Sequence, residues 1–267
     1  MDNIFKARRD IIHVCKRIYD RGYVASNDGN VSVRLSQNRV LITPTGRSKG
    51  FLTESDLIVV DLEGSKVSGK AMPSSESKIH TVLYKVRPDV KGIVHAHPVT
   101  ATGFAVAGIA LMHCVLPEVV LTVGQVPIAE YGTPSTMELP DAVMKLINEH
   151  DAFLLENHGA LTLGPDVISA YHKMESVEHF ARISLVARML GGERVLSETR
   201  VKQLIELRKN MGITGRNPIE AFGPEVCSES PADGKQCTLS GVCQTTDGDM
   251  ERLTEMITKK VMTELKP

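Results

Sequence analysis

The sequence contains no tryptophan, and aromatic residues make up only 4% of its 267 positions. A stacking platform for bases or sugar rings is therefore not its organising feature. A surplus of one charge is also missing: 31 Lys and Arg stand against 32 Asp and Glu, a formal net charge of −1. Nucleic-acid binders need a basic excess to face phosphates, so that class of partner is set aside. No stretch approaches the ~20 apolar residues of a membrane span. The opening Met1-Asp2-Asn3-Ile4-Phe5-Lys6 carries charges where a secretory signal would place its apolar run. Five cysteines, with Cys15 and Cys114 inside apolar segments, do not make a disulfide framework. What remains is 42% apolar and 24% charged residues, the composition of a soluble, cytoplasmic, globular protein with a sizeable core.

Apolar side chains at Ile4, Phe5, Ile11, Ile12, Val14, Cys15, Ile18 and Tyr19 predict a helix over 4–21. After a polar turn, alternation at Val31, Val33 and Leu35 predicts a strand, followed by Val40-Leu41-Ile42 and by 57–62. Residues 76–86 read as a helix stopped by Pro88, and Val90 to His97 as a buried strand. Helices are expected over 137–149, 166–190 and 197–211, with a strand at 152–155. Strands and helices mix without a strict βαβ alternation, which suits a layered α/β domain over 1–221. From Phe222 to Asp249 the chain is Ser, Pro, Gly, Asp, Thr and Lys with three cysteines, a flexible linker in which Cys227, Cys237 and Cys243 read as solvated thiols.

Three histidines sit in unusual places. His95-Ala96-His97 follows the apolar Gly92-Ile93-Val94, and strand positions i and i+2 share a face, so both imidazoles can reach one ion. His158 follows a second apolar run, Phe153-Leu154-Leu155. Three neutral imidazoles with one position left open are the donor set of a catalytic zinc. Two unrelated strands that each end in solvated histidines fit the same spacing. Pro73-Ser74-Ser75-Glu76 opens a helix, where Glu76 is either a cap favoured by the helix dipole or a base beside a phosphate held by backbone N–H groups and hydroxyls. The turns Ser26 to Asn30 and Thr45-Gly46 are either further donors or plain turns.

In order and spacing, five segments resemble the class II aldolase/adducin family, and within it the L-fuculose-1-phosphate aldolases. They are SNDGNVSVR (26–34), LITPTGRSKGFLTESDLIVVD (41–61), PSSESKIHTVLYKVRPDVKGIVHAHP (73–98), PIAEYGT (127–133) and LLENHGAL (154–161). The resemblance implies a layered α/β/α fold around a central mixed, largely antiparallel sheet. It implies one Zn²⁺ per subunit held by His95, His97 and His158, with Glu76 touching the metal in the empty site and acting as base when substrate displaces it. Gly29, Asn30, Thr45, Gly46, Ser74 and Ser75 match the positions that bind the substrate phosphate. His80, one helical turn beyond Glu76, is read as a supporting residue. The implied reaction is reversible cleavage of a ketose 1-phosphate to dihydroxyacetone phosphate and lactaldehyde, in a homotetramer with sites at subunit boundaries.

The same superfamily contains pentulose-phosphate 4-epimerases, sugar-phosphate dehydratases and adducin-like binding domains, the last with no need for Glu76 and three histidines. Two departures bear on the sugar. A family tyrosine brought from a neighbouring subunit is replaced within Met112-His113-Cys114-Val115, and a C-terminal one is missing near Lys209-Asn210-Met211. His113 and Tyr131 become the candidates for the proton donor to the leaving aldehyde oxygen. Beyond the linker, Met250, Leu253, Ile257, Val261 and Leu265 form one apolar stripe over 250–267. This segment resembles the encapsulation peptides that carry cargo enzymes into bacterial microcompartments, which implies shell proteins as partners and a place inside such a compartment.

Overall fold

The computed structural model describes residues 2–74, 76–133 and 135–227. The first helix, α1 (Asp2–Asp20), buries Ile11, Val14, Cys15 and Ile18, a stripe at helical spacing. β1 (Asn30–Ser36) and β2 (Arg39–Ile42) form a hairpin, followed by β3 (Ile58–Val60) and β4 (Lys66–Ser68). Then come α2 (Ser77–Val86), β5 (Gly92–Ala96), α3 (Val99–Val106), α4 (Pro117–Thr122) and β6 (Ile128–Ala129). The chain continues through α5 (Glu138–Met144), β7 (Ala152–Leu155), β8 (Gly159–Gly164), α6 (Val167–Met189), α7 (Glu198–Asn210) and α8 (Pro218–Phe222).

The strands make one eight-stranded sheet in the order β4-β3-β2-β1-β5-β8-β7-β6. Every neighbouring pair is antiparallel except β6 and β7. Strand side chains alternate between faces, and the sheet buries both. Leu41, Val94, Ala96, Leu154 and Ala160 join α1, α3 and α6 in one core. Val40, Ile42, Ile93, Phe153, Leu155 and Leu161 meet Ile79, Leu83 and Tyr84 of α2 and Leu139, Ala142 and Val143 of α5 in the other. This is the layered α/β/α arrangement with a mixed, largely antiparallel sheet that the sequence led us to expect.

Several elements escape the sequence reading. β8 is buried along its whole length and framed by Gly159 and Gly164, so it shows no polar alternation. α3 has glycine and β-branched residues in place of a helical stripe. The packed chain also runs past Phe222 through a turn at Pro224–Cys227, beyond the boundary at 221. Cys227 is buried and disulfide-bonded to Cys114 across 113 residues, with Val120, Val201 and Ile219 around the pair. The expectation of a solvated linker thiol is corrected there, because this small apolar cluster captures it. Cys237, Cys243, the rest of the linker and the stripe over 250–267 lie outside the described residues. Among those described, no helix is long and apolar enough to cross a membrane.

Candidate active site

β1 and β5 are paired so that Asn30 lies directly opposite His95. Parity then decides the site. Val31 joins the α1 core, so Asn30 and Ser32 face α2, and His95 shares that face with Ile93. His97 sits just past the end of β5, its backbone N–H bonded to the Tyr23 carbonyl at 2.8 Å. His158 comes from the three-residue turn that joins β7 to β8, where Leu155 pairs with Gly159 and Asn157 takes a positive φ of 54°. Gly159 is required beneath this turn, because a Cβ there would lie 2.6 Å from the Ala96 carbonyl oxygen and from the His97 ring.

The three imidazoles converge. Their ligand atoms all lie within 4.8 Å of one another, and His97 Nε2 stands 3.1 Å from His95 Nε2. Glu76 does not cap α2: it occupies the N-cap position but its side chain makes no capping bond. The carboxylate turns inward, with Oε1 3.1 Å from His158 Nε2 and Oε2 3.5 Å from His95 Nε2. Tetrahedral zinc with ~2.0–2.1 Å bonds to nitrogen would place its donors about 3.3 Å apart, so these spacings fit such an ion. His95 Nδ1 bonds the Ala160 carbonyl at 2.9 Å, and Asp28 Oδ2 lies 3.6 Å from His97 Nδ1. Such partners on the far nitrogen orient metal-binding histidines. Burial pushes both His95 and His97 down to about 4, leaving neutral rings with free lone pairs. Burial opposes charge on Glu76, but His95, His158 and Asn30 outweigh it and hold the carboxyl well below the usual range.

Behind Glu76 runs a buried chain of hydrogen bonds. A carboxylate can only accept, so Asn30 presents its amide Nδ2 to Glu76 Oε2 at 2.6 Å. Asn30 Oδ1 then faces His80 Nε2, which must carry the proton. The other nitrogen of His80 accepts from Ser32 Oγ at 2.6 Å, and Tyr84 OH lies 2.9 Å beyond. His80 is thus a buried, neutral link, pushed down to about 4 by desolvation.

A cavity of about 200 Å³ opens beside the cluster, lined by turns from three parts of the chain. They are Asn27 to Gly29, Pro44 to Gly46 with Lys49, and Ser74, together with Glu76, His97 and His158. Gly29 and Gly46 have φ of 73° and 66°, the left-handed conformation that favours glycine. Thr45 N–H bonds the Met72 carbonyl at 3.1 Å and Pro44 bridges to Pro73, which ties the second turn to the segment leading into α2. Of the residues expected around a phosphate, Gly29, Thr45, Gly46 and Ser74 line this cavity, while Ser75 lies outside the described residues. Asn30 does not line it: its carboxamide is occupied by Glu76 and His80. Its spacing from Ser32 and that of Glu76 from His80 were the available signals for this chain. His113 and Tyr131 do not line the cavity either. His113 Nδ1 pairs with Glu193 at 2.6 Å, and Tyr131 is over half exposed. Lys49 and Asp28 were not singled out from the sequence, since no spacing rule marks a lone lysine or aspartate in a turn.

The family model for the class II aldolase and adducin N-terminal domain matches residues 9–185. A protein named L-fuculose phosphate aldolase from Methanococcus maripaludis is 36% identical over 181 residues, covering 68% of this chain and 97% of the relative. A 3-oxo-tetronate 4-phosphate decarboxylase from Haemophilus influenzae is 33% identical over 200 residues, covering 73% of this chain and 93% of that one. A solved L-fuculose 1-phosphate aldolase superposes with a TM-score of 0.71 at 30% identity, over 76% of this chain and 96% of the other.

Proposed function

Since the chain belongs to the class II aldolase and adducin family, we propose that it is a zinc-dependent lyase. It cleaves L-fuculose 1-phosphate, or a related ketose 1-phosphate, reversibly to dihydroxyacetone phosphate and L-lactaldehyde. The observation that carries this reading is the Glu76 carboxylate facing His95 and His158, beside a cavity lined by glycine turns. His95, His97 and His158 hold the ion, which supplies Lewis acidity to polarise the C2 carbonyl. In cleavage the C4 hydroxyl gives up its proton to solvent, the C3–C4 bond breaks so that C4 leaves as the aldehyde, and the electron pair of that bond becomes the enediolate of dihydroxyacetone phosphate. Glu76, having taken up a proton from solvent, then delivers it to C3, and removes it in the synthetic direction. Asn30, held by His80, keeps the carboxylate aimed. Backbone N–H groups of the turns at Gly29 and Gly46 and the hydroxyls of Thr45, Ser74 and Ser75 receive the phosphate. His113 and Tyr131 remain the candidates for the group at the C4 oxygen: neither lines the cavity within one chain, and the proposed site lies at a subunit boundary, which a neighbouring chain can complete.

The decarboxylase relative favours a second reading by the same site. Loss of CO₂ from 3-oxo-tetronate 4-phosphate leaves the same enediolate, with the phosphate on the same carbon relative to the carbonyl. Glu76 would protonate it in the same way. The deciding assay offers the zinc-loaded protein each substrate separately and follows dihydroxyacetone phosphate together with lactaldehyde or CO₂. Turnover of fuculose 1-phosphate is expected; turnover of neither substrate refutes both readings. The protein acts as a cytoplasmic homotetramer, and residues 250–267 recruit it to the shell of a bacterial microcompartment that confines the aldehyde.

A further inference from the structure

One basic side chain lines the cavity, and the reaction above gives it no part. Lys49 lies in the short turn Lys49–Phe51 and is only 2% exposed. Its Nζ donates to the backbone carbonyls of Asn27 at 2.7 Å and Arg47 at 2.9 Å. Those carbonyls belong to the turns that carry Gly29 and Gly46, so one ammonium joins both rims of the cavity. An ammonium has three donors, and two are accounted for by these bonds. No carboxylate lies within ion-pair distance of it among the described residues. Burying an uncompensated charge is costly unless something of opposite sign arrives. Asp28 and Glu76 on the cavity wall repel a phosphate, and a positive side chain in the glycine turns themselves offsets that repulsion.

We propose that Lys49 is the fixed countercharge of the substrate's phosphate and sets the spacing of the two glycine turns that receive it. This rests on the phosphorylated-substrate reading above and adds a binding residue to it. Burial pulls the Lys49 pKa down, while Asp28 and Glu76 pull it back. The ammonium contacts the phosphate and not the reacting carbons, so its loss should weaken binding and spare the chemical step.

The test uses full-length, metal-loaded protein with two variants. Lys49→Met removes both the charge and the donors, whereas Lys49→Gln removes the charge and keeps a donor for the two carbonyls. Calorimetric titration with inorganic phosphate requires no turnover, so it decides the role of Lys49 even where the aldolase reading fails. Both variants should bind phosphate about 10–100-fold more weakly than wild type, the size of one charge-assisted contact. With fuculose 1-phosphate, KM should rise by a similar factor and kcat should stay within about threefold. Phosphate affinity unchanged in Lys49→Gln overturns the countercharge, as does a wild type that binds no phosphate. Should Lys49→Met not fold, the Lys49→Gln titration still decides. Phosphate binding that depends on Lys49, in a protein that cleaves no ketose phosphate, would keep this assignment and discard the aldolase.

Discussion

Replacing His80 with leucine removes one link of the chain behind Glu76 and leaves the fold's volume nearly unchanged. Two effects of opposite pH dependence follow. At neutral pH the variant leaves Asn30 Oδ1 buried without its donor, which costs about 1–3 kcal/mol; Ser32 retains Tyr84 as a partner. In acid the wild type carries a liability that the variant lacks. The folded His80 ring protonates at about 4, the unfolded one at 6.5, so between these values the unfolded chain binds more protons. The stabilisation is complete above pH 6.5 and is lost as pH falls to about 4. At 1.36 kcal/mol per unit, the wild type should lose ~3 kcal/mol more than His80→Leu across that interval. The assay is urea unfolding of both proteins with chelator present, at about pH 7 and about pH 4, so that His95 and His97 titrate alike in each. The stability gap should close or invert in acid. A gap of the same size at both pH values would mean that His80 is not a buried neutral ring, and the chain behind Glu76 would fall with it.

Glu76→Gln should retain metal and substrate and lower kcat by ~10²–10⁴-fold; activity close to wild type would reduce Glu76 to a residue at the start of a helix. His95→Ala should lose most bound metal by elemental analysis, and full occupancy with normal turnover would refute the ligand assignment. Cys227→Ser opens a loop of 113 residues, for which chain entropy alone allows a loss of up to about 4.7 kcal/mol. Reductant should lower the urea midpoint of wild type and leave that of the variant unmoved; a wild type indifferent to reductant argues against the bridge. Residues 250–267 fused to a fluorescent protein should form foci in cells that make microcompartment shells, and diffuse fluorescence unchanged by Leu253→Glu would dismiss the recruitment.

Much of the site could be read in the sequence because its signals are local. Gly92 to His97 announces a buried strand that ends in two histidines on one face, and Leu155 to Gly159 announces a hairpin turn carrying a third. That the two turns meet could not be read from either. It depends on β8 lying between β5 and β7, and β8 has neither polar alternation nor a length to betray it. Asn30 shows what a motif leaves unsaid: it follows a glycine turn as the first residue of β1, and strand parity turns its side chain toward α2. Lys49 and the Cys114–Cys227 pair were illegible for a related reason. Each depends on contacts between distant segments, and a single residue type without a period leaves no trace of its partner.

The bridge between Cys114 and Cys227 also has a mechanical consequence. Residue 227 is where the described fold stops, and it is fastened covalently to the loop that leads into α4. A pull on the segment beyond it, as from a docked tail, is delivered through sulfur to the middle of the chain. It bypasses α7 and α8, which would otherwise be peeled away one turn at a time. The load path enters the fold at the loop before α4 and not at β5 or the β7–β8 turn, the segments that carry the histidines. Reduction reroutes that load through α8, a helix of five residues.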